Sequence, residues 1–271
     1  MKKYAFLAVV PVLPAGLLFI FFSIGCTKSG SLPLTGNTAD FCNIHRITFI
    51  GPSGPDTITF VYNVFGNPIR GDRAFVDDGS PRYIFRYDGQ GRLQDFIGAY
   101  NNGAGEFWTR YSYSDDNRIV WDTTFTLVNQ IVSWPPPENG FFLSDKKEYD
   151  QEGRITEITS YFHGTYGPVP DTSFVAGSQS YIYDARGDVV GPAYDDKINY
   201  HRTNKVWMFI DDQYSENNPF PIDAYNNYGL PTKMNFNVNQ SPFPVYSPVL
   251  FMLNYANTVI DYDCELPNSK Y

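Results

Sequence analysis

Apolar and polar residues alternate in short runs along most of this chain. Phe60 and Tyr62 share a face of an extended segment, as do Phe85 with Tyr87, Tyr111 with Tyr113, Tyr181 with Tyr183, and Ile198 with Tyr200. A period of two with a polar residue between predicts half-buried β-strands. Lys147 and Asp223 break the pattern by standing at inward-facing places. No segment of the body shows sustained helical periodicity. The stretches "SWPPPENG" and "SPFPVYSPV" predict long connections, because proline cannot serve a central strand.

Between the alternating runs, one short pattern returns. It starts at Tyr62 (YNVFGNPI), Tyr87 (YDGQGRL), Tyr113 (YSDDNRI), Tyr149 (YDQEGRI), Tyr183 (YDARGDV), Tyr200 (YHRTNKV) and Tyr225 (YNNYGLP), with a shortened copy at Tyr255. The fifth position holds Gly66, Gly91, Asn117, Gly153, Gly187, Asn204 and Gly229. Glycine and asparagine reach positive φ most cheaply. A three-residue hairpin loop needs such a residue after its type I turn. The pattern therefore predicts seven hairpins, each with its tyrosine facing inward. It also pairs Asp88 with Arg92 and Asp150 with Arg154, and sets Asp184 against Asp188 as like charges that are strained or hold an ion. "DTITF", "DTTF" and "DTSF", starting at Asp56, Asp122 and Asp171, mark further strand starts.

The expected fold class is all-β: one large antiparallel meander of repeated hairpins, about 14–16 strands, strongly curled or closed into a barrel-like body. Composition agrees. The chain has 21 tyrosines and 22 phenylalanines, types that favour pleated strands. A membrane-spanning barrel would need apolar lipid-facing positions, and "KKEYDQEGRITEI" leaves too few.

The ends change the picture of location. Lys2 and Lys3, the apolar stretch Ala5–Phe22 and a small residue before Cys26 predict a signal peptide over 1–25. Pro11 and Pro14 disfavour an uncleaved membrane helix. Residues 26–40, rich in Ser, Thr, Gly and Pro, read as a flexible tether, and 41–271 as a single β-hairpin-repeat domain. In an exported chain the remaining pair, Cys42 and Cys264, predicts a disulfide that sets the first strand beside the last. The alternative is two buried free thiols. The net charge of −9 opposes nucleic-acid binding.

Two resemblances add to this. Gly25-Cys26 resembles a bacterial lipobox, which implies lipidation of Cys26. Thr27 in place of an aspartate then implies the outer membrane, facing the periplasm, with surface exposure left open. Tyr-Asp-x-x-Gly-Arg-apolar, at Tyr87–Leu93 and Tyr149–Ile155, resembles the YD repeats of the RHS and wall-associated families. With the lipoprotein signal, the body resembles YD-repeat-like lipoproteins of uncharacterised function from Gram-negative envelopes. RHS proteins build spiral shells around a C-terminal toxin, and no toxin is expected here.

The search for chemistry returns little. His45, His163 and His201 lack metal-ligand spacing, and His201 occupies a turn slot. There is no GxSxG element and no P-loop. The aspartate pairs, Asp77-Asp78, Asp115-Asp116, Asp195-Asp196 and Asp211-Asp212, read as solvated turns. Neither a metal nor a cofactor is implied. Among Trp108, Trp121, Trp134 and Trp207, the segment "GEFWTRY" offers the best sugar-stacking candidates, Trp108 and Tyr111. The expected role is a non-enzymatic binding or scaffold module, with a glycan as the sharpest ligand. The alternatives are a structural partner of another envelope protein and, less favoured, a carboxylate-dependent glycan hydrolase.

Overall fold

A computed structural model describes residues 41–51, 54–76, 79–131, 142–164, 172–219, 222–235 and 257–264. The targeting segment, Cys26, the tether, Asp77-Asp78, Trp134, Asp171 and Tyr255 lie outside them.

The described residues form one antiparallel sheet of 13 strands. They are β1 (Cys42–Gly51), β2 (Gly54–Tyr62), β3 (Pro68–Arg73), β4 (Arg82–Tyr87), β5 (Leu93–Ala99), β6 (Gly105–Tyr113) and β7 (Ile119–Val128). Then follow β8 (Phe142–Tyr149), β9 (Ile155–Gly164), β10 (Thr172–Ser180), β11 (Ala224–Tyr225), β12 (Pro231–Met234) and β13 (Thr258–Cys264). Spatial order runs from β10 in steps back to β1, then to β13, β12 and β11.

The repeat sets the hairpins. Gly66, Gly91, Gly153, Gly187 and Gly229 have φ of 76–85°, and Asn117 has φ 57°. At the second copy Gly91 N–H donates to Asp88 O (3.0 Å) and Asp88 N–H to Arg92 O (2.9 Å). The Asp88 carboxylate accepts from the amides of Gln90 and Arg92, both at 2.9 Å. Asn63, Asp184 and Asn226 repeat that capping. A side chain that takes up the turn's own amides is why Asp or Asn follows the tyrosine.

The tyrosine has a second task. Tyr62, Tyr87, Tyr113 and Tyr183 donate their hydroxyls to the carbonyls of Ile44, Pro68, Leu93 and Ile155, at 2.6–2.9 Å. Pro68, Leu93 and Ile155 are the apolar seventh residues of earlier copies. In Tyr87, Tyr113 and Tyr183 the hydroxyl thus satisfies a carbonyl of an earlier hairpin, a bond phenylalanine could not make. The motif arginine also reaches forward. Arg92 pairs with Asp88 (2.8 Å) and lies 4.3 Å over the Tyr113 ring. Arg154 pairs with Asp150 (2.8 Å) and lies 4.4 Å over Tyr183.

Three expectations change. The sheet does not close: its order has two ends, β10 and β11. The disulfide Cys42–Cys264 is present and β1 does pair with β13. Both strands are interior, however, because β11 and β12 extend the sheet beyond β13. Joining the chain's first and last strands therefore does not join the sheet's edges. The strand count is 13 among the described residues, below the expected range.

The third change is a helix, α1 (Lys205–Asp211), preceded by a 3-10 turn at Tyr200–Thr203. The copy at Tyr200 is not a hairpin. Asn204 has φ −154°, extended backbone, and its side chain caps the helix by accepting from Val206 N–H. Its Nδ2 donates to Gly66 O (2.8 Å), fastening the helix start to the first hairpin turn. Helix α1 covers one face of the sheet, hereafter the inner face. The Trp207 ring lies 4.9 Å from Phe60 and 5.7 Å from Phe85, and Phe209 lies 4.8 Å from Tyr111. The main core is this aromatic layer, with Ile47, Ile58, Phe96 and Ile155 at its floor.

Candidate functional site

Trp108 and Tyr111 stand three residues apart on β6, so they point to opposite faces of the sheet. Trp108 is 1% exposed and donates its indole N–H to Asp95 (2.9 Å), which also holds Arg110 (2.7 Å). It packs with Ile97, Ala99 and Val128. Tyr111 is buried against Phe209 on the inner face. The expected stacking platform is therefore absent: both rings are core, and no sugar face can reach them together.

Exposed aromatic and apolar surface lies instead on β7–β10. On the outer face, Trp121 is 39% exposed, its ring 5.4 Å from Tyr161. Beside them Phe125, Phe142 and His163 form a stack, with centroids 5.0 and 4.4 Å apart. His163 Nε2 shares a 2.6 Å hydrogen bond with the Ser144 hydroxyl. Among the described residues no carboxylate bonds His163, so this pair lacks the third member that would orient a base.

Strand β10 continues this surface. It is an edge strand of nine residues, TSFVAGSQS. Phe174 and Val175 are exposed. Among the described strands longer than two residues, β10 is the one without a charged side chain. It also lacks proline. Edge strands are normally blunted by charge, proline, brevity or a bulge, and of these β10 carries only a register shift between Val175 and Gly177. The other edge, β11, is two residues long.

A second constellation lies inside, between α1 and the sheet. Lys147 of β8 is buried, with Nζ 2.8 and 3.0 Å from the two Asp212 oxygens and 3.1 Å from Asp122 Oδ2. Asp122 sits on neighbouring β7, held also by the Asp145 amide (3.3 Å). Asp212 closes α1 at φ 53°. Burial pushes the Asp122 carboxyl up, and pushes Asp212 up to about 6, with Lys147 working against both. Burial opposes charge on Lys147, but Asp212 and Asp122 outweigh it and hold its amine well above the usual range. The signal for this cluster was the break in alternation at Lys147: a cation at an inward place needs an anion there.

Next to it, His201 is buried rather than placed in a hairpin turn. Its Nδ1 lies 2.7 Å from Asn199 Oδ1, and Nε2 2.8 Å from Asp211 Oδ2. The Asn199 Nδ2 donates to Ser215 O, which fixes that amide's orientation. Asn199 Oδ1 can only accept, so Nδ1 carries hydrogen and Nε2 accepts the proton of a neutral Asp211. Burial lowers His201 to about 3 and raises Asp211 well above the carboxylate range, which agrees.

The sign of the pH effect follows from counting protons. Between about pH 4 and 6.5 the pair holds one proton folded (on Asp211) and one unfolded (on His201), so its linkage there is flat. Above 6.5 the unfolded pair holds none while the folded pair keeps one. Stability should then fall by about 1.4 kcal/mol per pH unit until Asp211 ionises. Asp211→Asn keeps the hydrogen bond to Nε2 and should remove that slope. Denaturant melts of both proteins from pH 6 to 9 check this. Parallel curves would rule out the neutral pair.

The Asp184–Asp188 clash is met from within the chain. Asp184 accepts from the Asp188 amide, and Arg186 lies 3.3 Å from Asp184 and 3.5 Å from Asp188. Asn217 N–H donates to Asp188 (2.8 Å). A guanidinium thus stands where an ion was considered. Asp211-Asp212, expected in a solvated turn, is instead the buried end of α1. No protein-family model matches this chain, and no curated protein matches it.

Proposed function

We propose that this chain is a non-enzymatic binding or scaffold module of a Gram-negative envelope, a YD-repeat-like lipoprotein tethered to the outer membrane through lipid on Cys26. Its partner is another envelope protein, which adds an extended, uncharged strand to β10. One observation carries this reading: β10 is a nine-residue edge without charge or proline. Unpaired amides and carbonyls along such an edge accept a further strand. Exposed Phe174 and Val175 would flank that strand on opposite faces. The net charge of −9 favours an uncharged or basic partner over nucleic acid. Neither a cofactor nor a metal enters this reading.

A photoreactive side chain at Ser178 of the full chain, irradiated in intact envelopes, should yield a single protein adduct. Val175→Lys on the same chain should abolish it, since charge is how edges are normally blocked. An adduct indifferent to Val175→Lys, or none at all, would refute strand addition.

The Trp121–Tyr161 pair favours a second reading, glycan stacking on the outer face. A glycan array that responds to the wild type but not to Trp121→Ala would select it.

A further inference from the structure

The interior cluster has more groups than a structural ion pair needs. Lys147 touches two carboxylates from separate elements, Asp122 on β7 and Asp212 at the end of α1. Its side chain is 4% exposed and that of Asp122 is 9%. Aromatic rings surround them: the Phe209 ring lies 5.9 Å from Nζ, and Tyr111 stands beside Asp122 in the next strand. One cation between two buried anions leaves an uncompensated charge. A shared proton or a covalent bond would remove it.

We propose that Lys147 and Asp212 join in a self-catalysed amide bond, with Asp122 as the catalytic acid and base. The reacting groups already touch, at 2.8 and 3.0 Å, so the step is unimolecular and needs little reorientation. The ion pair is the resting form, and attack requires one proton to pass from Nζ to Asp212, giving a neutral amine and a neutral acid at a cost that dry, apolar surroundings lower relative to water. Nζ then attacks Cγ of Asp212, and the new C–N bond forms. Asp122, 3.1 Å from Nζ, takes a second proton from the nitrogen. It returns that proton to a hydroxyl on Cγ as the C–O bond breaks. An ammonium and a carboxylate have become an amide and one water, with no oxidant and no cofactor. Asp122 ends as it began.

Asp212 rather than Asp122 is the acyl donor for two reasons. It meets Nζ with both oxygens, whereas Asp122 uses one. Its side chain is also 21% exposed, which gives the water a way out. The bond would strap α1 to β8 across a sequence separation of 65 residues.

The test is peptide mass spectrometry on the full chain after folding, with the disulfide reduced. Trypsin should not cut after Lys147. A linked peptide carrying Lys147 and Asp212 should appear, lighter by one water, about 18 Da, than its two parts. Asp122→Asn should fold, keep the Cys42–Cys264 bridge and show no link. Asp212→Asn should still link, losing ammonia instead of water. Separate Lys147 and Asp212 peptides from folded wild type would overturn the proposal, whatever the variants do. A link from Lys147 to Asp122, or one that survives Asp122→Asn, would overturn the assigned roles. Since the strand-addition reading rests on β10 alone, neither result bears on it.

Discussion

Alanine at both Cys42 and Cys264 is expected to lower stability by up to about 5 kcal/mol, the largest single loss anticipated for this fold. The bridge spans a sequence separation of 222 residues. Chain-entropy estimates for so long a loop reach about 5 kcal/mol, with about 2–5 kcal/mol typical of native bridges. The folded state itself should change little. Cys42 is buried against Leu230, and β1 and β13 remain paired from Cys42↔Cys264 to Thr48↔Val259. The effect therefore comes mainly from a freer unfolded chain. Urea melts of the double variant and the wild type measure it directly. A loss below about 1 kcal/mol would mean that the reduced, unfolded chain keeps its ends together by other means.

Trp207→Ala should cost about 3–5 kcal/mol, the range for deleting a fully buried large aromatic. Trp207 is 1% exposed and wedges between Phe60 of β2 and Phe85 of β4. Helix α1 is only seven residues long, too short to hold itself in water. Its helicity depends on that packing. Loss of Trp207 should uncouple α1 and bare the inner face. Trp207→Phe should recover more than half of the loss. Thermal melts with a hydrophobic dye report both effects. A stable variant whose inner face stays closed to the dye would show that α1 is held by its caps instead.

The hairpins were legible in the sequence because one conformational demand recurs at a fixed offset. Gly91, Asn117 and Gly153 all take positive φ where the spacing requires it. Asn204 shows the limit of that inference. Asparagine suits both a left-handed turn and a helix N-cap, and at Asn204 the cap prevailed. Helix α1 escaped notice for a related reason. Val206 to Ile210 are all buried, so no polar stripe marks a period of 3.6. The misplaced platform is a different case. Trp108 and Tyr111 differ by an odd number of residues on one strand, and period two alone separates them. The cluster at Lys147 was half legible. Its inward place was visible, but Asp212 meets it only through the fold. Closure failed because bridging two strands says nothing about what pairs beyond them.

The hydroxyl-to-carbonyl bonds between successive hairpins carry one more consequence. The copies at Tyr87 and Tyr149 each offer a carbonyl and an arginine to a later tyrosine, Tyr113 and Tyr183. The joint is the same at these two places, although different hairpins meet there. Such a sheet is extensible, like a zip fastener, and its length is set by how many teeth the gene supplies. Growth by duplication of a hairpin would leave no exposed seam. The turn of the chain into the lid that carries α1 interrupts the row after Tyr183, and the joint resumes beyond it, where Tyr262 donates to Pro231 O (2.7 Å).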